Sequence, residues 1–186
     1  EVIRDNIGSD TKQQHFAKLI LSLNTMIPPL RLEMLDMLFH ISNIEPPEDD
    51  NNYFWINGDN MAIVINHDKI ESKRKAKGIK RDILQLIDSK YMQSERLKQV
   101  ISASLEEYER KYVLQTGKGP MDPKTYYSLL KEVTKMQLSQ NSFRRAFINH
   151  YYKGSNELNV IQKRELAKRM RHQQSSAELY YKKLNV

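Results

Sequence analysis

Residues 52–66 (NYFWINGDNMAIVIN) decide the class of fold that this chain adopts. Two short runs rich in aromatic and β-branched residues, 52–56 and 61–66, flank the sequence NGDN at 57–60. Such runs around Asn, Gly and Asp predict a β-hairpin with a turn of about four residues. A third strand is predicted over residues 79–87, after a basic stretch at 73–78. Three strands are about the minimum for a stable small sheet.

Helical periodicity dominates on both sides of the hairpin. Apolar residues recur at helical spacing over 13–26, and Pro28 and Pro29 end that helix because proline lacks an N–H. Asp122 followed by Pro123 predicts the N-cap and first residue of a helix that runs to about 136. Residues 45–52 predict a loop, and further helices are predicted over 30–38, 94–112, 143–152, 156–171 and 177–184. The expected fold is mainly α with a small three-stranded antiparallel β-sheet (α+β).

Length, charge and cysteine content limit the possible functions. A chain of 186 residues predicts one domain spanning 1–186. The absence of cysteine excludes a disulfide scaffold, a cysteine nucleophile and a thiolate metal site. No run of about 18 apolar residues occurs, so no segment is expected to span a membrane.

The net charge of +7 is unevenly distributed. Residues 141–186 hold ten basic and three acidic residues, an excess equal to the whole net charge. A basic segment on a neutral body indicates a polyanionic partner, with nucleic acid first and an anionic membrane surface second. A solvated helical face is the alternative interpretation.

A search for catalytic motifs leaves one set of residues. The five histidines form no HxxxH or HExxH spacing, and no GxxxxGK[ST], GxGxxG or GxSxG sequence occurs. No metal or cofactor is therefore expected. Two arginines could hold a phosphate, a tyrosine could attack it, a lysine could protonate the departing 5′ oxygen, and a histidine could manage protons. The candidates in chain order are Arg31, Lys69 or Lys73, Arg144, His172 and Tyr181.

Three segments resemble the catalytic domain of tyrosine recombinases (integrases), of viral or mobile-element type. Residues 166–184 (LAKRMRHQQSSAELYYKKL) are similar to the family's terminal motif, in which a histidine precedes the nucleophilic tyrosine by nine residues. Residues 23–33 (LNTMIPPLRLE) resemble the first-arginine motif of integrase-like proteins in large DNA viruses and mobile elements. The predicted hairpin followed by a lysine lies where the family keeps its hairpin lysine.

The resemblance implies roles for individual residues, and with them the fold of DNA breaking-rejoining enzymes. Arg31 and Arg144 would be the catalytic arginines, Lys69 the hairpin lysine with Lys73 as the runner-up, His172 the histidine and Tyr181 the nucleophile in preference to its neighbour Tyr180. The sequence departs from the family at Asn141, where histidine is usual, and at Arg171, where many members have glycine. The residues expected to contact DNA around the site are Asn141, Arg145, Lys73, Lys168 and Arg171.

The implied activity is site-specific recombination or integration of double-stranded DNA through a covalent 3′-phosphotyrosine intermediate, without metal or ATP. Family members act as tetramers on DNA, and the isolated catalytic domain is expected to be monomeric. We expect the family's N-terminal DNA-clamping domain to lie outside this chain, which begins with Glu1 rather than Met. An intracellular location is implied, in the host nucleus or a viral replication site if the source is viral. The alternatives are a type IB topoisomerase, a catalytically degenerate DNA-binding relative, and a basic helical interaction protein.

Overall fold

A helix buried on almost every side forms the centre of the molecule. The computed structural model describes residues 11–66, 81–88, 92–152 and 158–170. Helix α1 (Lys12–Thr25) begins at Thr11, whose side chain accepts a hydrogen bond from the Gln14 N–H at 3.2 Å. The Gln14 side chain returns a bond to the Thr11 N–H, which completes a capping box. The buried residues of α1 are Phe16, Ala17, Leu19, Ile20, Leu21, Ser22, Leu23 and Asn24. Since they face all directions, α1 is a core helix rather than an amphipathic surface helix.

The main sheet has four strands in the order β1 (Leu38–Ile41), β2 (Tyr53–Asn57), β3 (Asn60–Ile65) and β4 (Asp82–Leu86). Strands β2, β3 and β4 are antiparallel neighbours, as the sequence predicts for its three strands. The hairpin turn between β2 and β3 is tighter than predicted, with only Gly58 and Asp59 between the paired residues Asn57 and Asn60.

The prediction of a three-stranded antiparallel sheet is wrong because β1 adds a parallel strand beside β2. Residues 30–38 were expected to form one helix, but a 3-10 helix (Leu32–Leu35) ends there and β1 begins at Leu38. A strand of four residues that follows an apolar run is too short to show the alternation of apolar and polar residues typical of a strand. The local sequence therefore does not distinguish it from a helix. The outer edge of β1 is covered in part by residues 111–113, since the Phe39 N–H donates to the Lys111 carbonyl at 2.9 Å.

Both faces of the sheet are covered. Phe54, Ile63 and Leu84 lie opposite one another across three strands on the face that joins the main core. The other face is covered by the loop of residues 42–52, which connects β1 to β2. Several side chains anchor that loop: Trp55 donates to the Ser42 carbonyl at 2.8 Å, and Tyr53 donates to the Asp49 carboxylate at 2.7 Å.

Four more helices pack around α1 and the sheet: α2 (Ser94–Glu107), α3 (Pro123–Thr134), α4 (Gln140–Tyr152) and α5 (Val160–Arg169). Helix α1 packs against α2, α3 and α4. Asp122 caps α3 with Pro123 at its first position, as predicted. A two-stranded sheet, β5 (Gln115–Thr116) with β6 (Gly119–Pro120), lies between α2 and α3 in the chain. The predicted helix over 177–184 lies outside the described residues.

Helix α2 ends earlier than the periodic pattern to residue 112 predicts, and Arg110 accounts for the difference. Its guanidinium donates to the Ser104 carbonyl at 2.7 Å and to the Tyr108 carbonyl at 2.8 Å, so it satisfies acceptors at the helix end. The same group lies over the rings of Phe16 and Phe39, 5.2 and 5.3 Å from their centres. Burial lowers the pKa of Arg110 to about 10, so it stays charged at neutral pH.

We predict that Gly58→Ala lowers the free energy of unfolding by about 1 kcal/mol, since Gly58 has a φ of +56° that an L side chain disfavours. A Cβ at this position would meet no atom within 4 Å, so backbone strain is the only cost. Gly119→Ala is the matched control, because its surroundings are equally open and its φ is not positive. Urea unfolding of both variants checks the prediction, and equal losses would contradict it.

His15 makes the stability of the fold depend on pH. Its Nε2 lies 2.8 Å from the Ser104 Oγ, and burial, followed by the charge of Arg110, lowers the pKa of His15. Below pH about 6.5 the unfolded chain therefore takes up a proton at this position before the folded chain does, so acid favours unfolding. We predict that the stability of the wild type falls more steeply than that of His15→Gln as the pH is lowered from 7 to 5. Thermal unfolding across this range measures both, and parallel curves would contradict the assignment to His15.

Candidate functional site

Two of the residues predicted to contact the reacting phosphate line one cleft of about 510 Å³. Arg31 enters it from the N-terminal end of the 3-10 helix and Asn141 from the first turn of α4. Arg31 is half-buried and Asn141 is exposed. Within the described part of the chain, neither side chain forms a hydrogen bond or ion pair with another residue. Both side chains are therefore accessible from the cleft.

The remaining lining residues add polar groups and one carboxyl group. They are Leu32, Glu33, Tyr127, Ser139 and Gln140. Glu33 is 2% exposed whereas Arg31 is half-buried, so the Arg31 side chain is more accessible to solvent than the carboxyl group. The hydroxyl of Tyr127 and the amide of Asn141 are further potential donors to an anionic oxygen.

The backbone that leads into Arg31 is held by two side chains of α4. Arg144 donates from Nη1 to the Pro29 carbonyl at 2.7 Å, and Gln140 donates from Nε2 to the Leu30 carbonyl. Gln140 and Arg144 are four residues apart, so they lie on the same face of α4. That face fixes two successive peptide units immediately before Arg31.

Arg144 connects α4 to two of the segments that resemble the family's motifs, residues 23–33 and 166–184. Its side chain is only 4% exposed, and its Nη2 donates to the Met170 carbonyl at 2.6 Å. Met170 closes α5, two residues before His172, and Pro29 lies two residues before Arg31. One buried guanidinium thus brings together backbone from around residue 30, from α4 and from the end of α5.

Gln140 belongs to a buried ring of hydrogen bonds that the sequence analysis did not predict. Asn24 donates to the Tyr126 hydroxyl at 3.1 Å, Tyr126 donates to the Gln140 Oε1 at 2.9 Å, and Gln140 donates to the Asn24 Oδ1 at 2.6 Å. The ring joins α1, α3 and α4. Burial raises the pKa of Tyr126, so its hydroxyl stays a donor at physiological pH.

The other predicted site residues divide into two groups. Arg145 is exposed on α4, and Lys168 lies in α5. The predictions for Lys69, Lys73, Arg171, His172 and Tyr181 concern positions outside the described residues. The structure therefore brings Arg31, Asn141 and Arg144 into one neighbourhood.

Sequence reasoning also missed Gln140 and Tyr127 as neighbours of the cleft. Gln140 directly precedes Asn141, the position at which the resembled family usually has histidine, and this adjacency was the available signal. Tyr127 had no signal, because its place in the cleft follows from the packing of α3 beside the 3-10 helix.

Comparison with known proteins gives no independent guide: no family model, no curated protein and no solved structure matches this chain. Within the described ranges, no helix is both long and apolar enough to cross a membrane. The same ranges hold no group of three or more His, Asp or Glu side chains that could bind a metal ion.

We predict that Arg144→Lys lowers the free energy of unfolding by about 2–4 kcal/mol. Lysine keeps the charge but cannot span the Pro29 and Met170 carbonyls, so it leaves a buried acceptor unsatisfied. Arg145→Lys is the matched control on the exposed side of the same helix and should change stability by less than about 1 kcal/mol. Equal effects of the two substitutions in urea unfolding would contradict the structural role of Arg144.

Proposed function

We propose that this chain cuts and rejoins DNA strands through a covalent 3′-phosphotyrosine, as a tyrosine recombinase or integrase. The observation that carries the proposal is the meeting of Arg31, Asn141 and Arg144, which lie up to 113 residues apart in the sequence and which the resemblance to the family assigns to one site. Asn141 and Arg144 lie about one turn apart on α4, so the long-range contact behind this observation is the approach of α4 to the segment that carries Arg31. The basic excess of residues 141–186 further supports a DNA partner.

In the proposed reaction, the hydroxyl oxygen of Tyr181 attacks the scissile phosphorus and forms the 3′-phosphotyrosyl bond, while the hydroxyl proton passes to His172. The bond from phosphorus to the 5′ oxygen breaks, and Lys69 supplies the proton that this oxygen takes up. Arg31 and Arg144 neutralise the charge that builds on the non-bridging oxygens, and His172 and Asn141 donate hydrogen bonds to them. A 5′ hydroxyl from a partner strand reverses the same steps, so the phosphodiester energy is retained.

A second candidate function is DNA binding without cleavage, and two observations favour it. Arg144 is buried, and its Nη1 and Nη2 atoms donate to backbone carbonyls. Asn141 can hydrogen-bond a phosphate but cannot transfer a proton as the usual histidine can. Both features are those of a chain that keeps the architecture of the site for binding alone.

We predict that the wild-type chain forms an adduct that survives denaturing gel electrophoresis with members of a randomised duplex library nicked near its centre. A nick just beyond the scissile phosphate releases the short 5′-hydroxyl strand, so the covalent complex cannot be resealed. Tyr181→Phe should abolish the adduct because it removes the attacking oxygen, whereas Tyr180→Phe and Tyr127→Phe should retain it within about tenfold.

The outcomes separate the two candidate functions. DNA binding by the wild type without any adduct from the library would favour the binding-only function. An adduct that survives Tyr181→Phe but disappears in Tyr127→Phe would move the nucleophile to the described cleft. Whether Tyr181 or Tyr127 is the nucleophile, Arg31→Ala should reduce the adduct by at least about 100-fold, because an unneutralised transition-state charge is costly.

A further inference from the structure

The peptide unit that carries Arg31 is fixed from α4 by one side chain. The Leu30 carbonyl oxygen accepts a hydrogen bond from Gln140 Nε2. Because the peptide bond is planar, fixing this oxygen also fixes the nitrogen and Cα of Arg31, which lie in the same plane. Arg144 fixes the preceding plane through the Pro29 carbonyl, so both planes around Leu30 are held by α4.

The Gln140 amide has little freedom to release the Leu30 carbonyl. It is 6% exposed, its Oε1 accepts from Tyr126, and its Nε2 also donates to Asn24. Each of these partners is nearly inaccessible to solvent, with Asn24 at 1% and Tyr126 at 0% exposure. Any other orientation of the amide would leave buried polar atoms unsatisfied.

We infer that Gln140 is a positioning residue that sets the place of Arg31 in the cleft. Its catalytic consequence rests on the proposed function, whereas its effect on the Arg31 backbone does not. Gln140 does not need to touch the DNA for this role, since it acts through the Leu30 carbonyl. The bond from Nε2 to Asn24 holds the amide in the orientation in which its second hydrogen points to the Leu30 carbonyl.

The first test measures the Arg31 backbone in the full chain by ¹⁵N relaxation. In Gln140→Met, which keeps the length of the side chain but removes both donors, the order parameter of the Arg31 amide should fall from about 0.85 towards 0.6. Tyr126→Phe is the matched control because it opens the same ring but leaves the Gln140 bond to Leu30 in place. An unchanged Arg31 amide in Gln140→Met, or an equal fall in Tyr126→Phe, would overturn the inference. If Gln140→Met does not fold, Gln140→Glu replaces it, since its carboxylate cannot donate to the Leu30 carbonyl.

The second test measures the rate of adduct formation on bound DNA. Gln140→Met should lower this rate by about 10–100-fold and change the DNA dissociation constant by less than about threefold, because misplacement of a group that acts on the transition state affects the chemical step. On an Arg31→Lys background the same substitution should cost less than about twofold, since its effect passes through the position of Arg31. Equal losses on both backgrounds would contradict the inference. If the wild type forms no adduct, the proposed function fails and the relaxation measurement alone decides the positioning role.

Discussion

The ring of hydrogen bonds among Asn24, Tyr126 and Gln140 is the constraint on which the rest of the structure depends. A buried polar group is costly unless it is paired, and the three side chains of the ring pair with one another in the core. The ring therefore specifies the relative placement of α1, α3 and α4 more sharply than apolar packing, which tolerates small shifts. Since burial raises the pKa of Tyr126, ordinary changes of pH do not remove its donor.

The same demand for paired polar groups explains how the buried segment between α1 and the 3-10 helix is held. Pro28 and Pro29 have no N–H, so this segment cannot form a regular ladder of its own. Its carbonyls are satisfied by distant groups: Met26 accepts from the Gln93 N–H at 2.8 Å, Pro29 from Arg144 and Leu30 from Gln140. After the helix ends, the segment thus takes hydrogen bonds from Gln93, directly before α2, and from α4, and the bonds from α4 hold the backbone that leads to Arg31.

Local signals in the sequence predicted the elements that depend on neighbouring residues. The hairpin and the Asp122 cap of α3 are of this kind, because turn and capping chemistry act within a few residues. The parallel strand β1 was missed, since its pairing with β2 depends on residues 15 positions away and on a loop that covers the sheet. In the candidate site, motif resemblance selected Arg31, Asn141 and Arg144. The ring behind them involves partners 102 and 116 residues apart, which no local pattern reveals.

The position of Arg144 adds a condition to the proposed chemistry. A charged phosphate makes a stronger hydrogen bond to a guanidinium than a neutral carbonyl does. A DNA phosphate that reaches Arg144 would therefore compete for the donors that now hold Pro29 and Met170. Release of those carbonyls would loosen the segments that precede Arg31 and His172, whereas Gln140 would still hold the Leu30 carbonyl. In the proposed reaction, Gln140 thus keeps Arg31 in place while Arg144 donates to the phosphate instead of the two carbonyls. Gln140 supports the Arg31 backbone, and Arg144 neutralises charge.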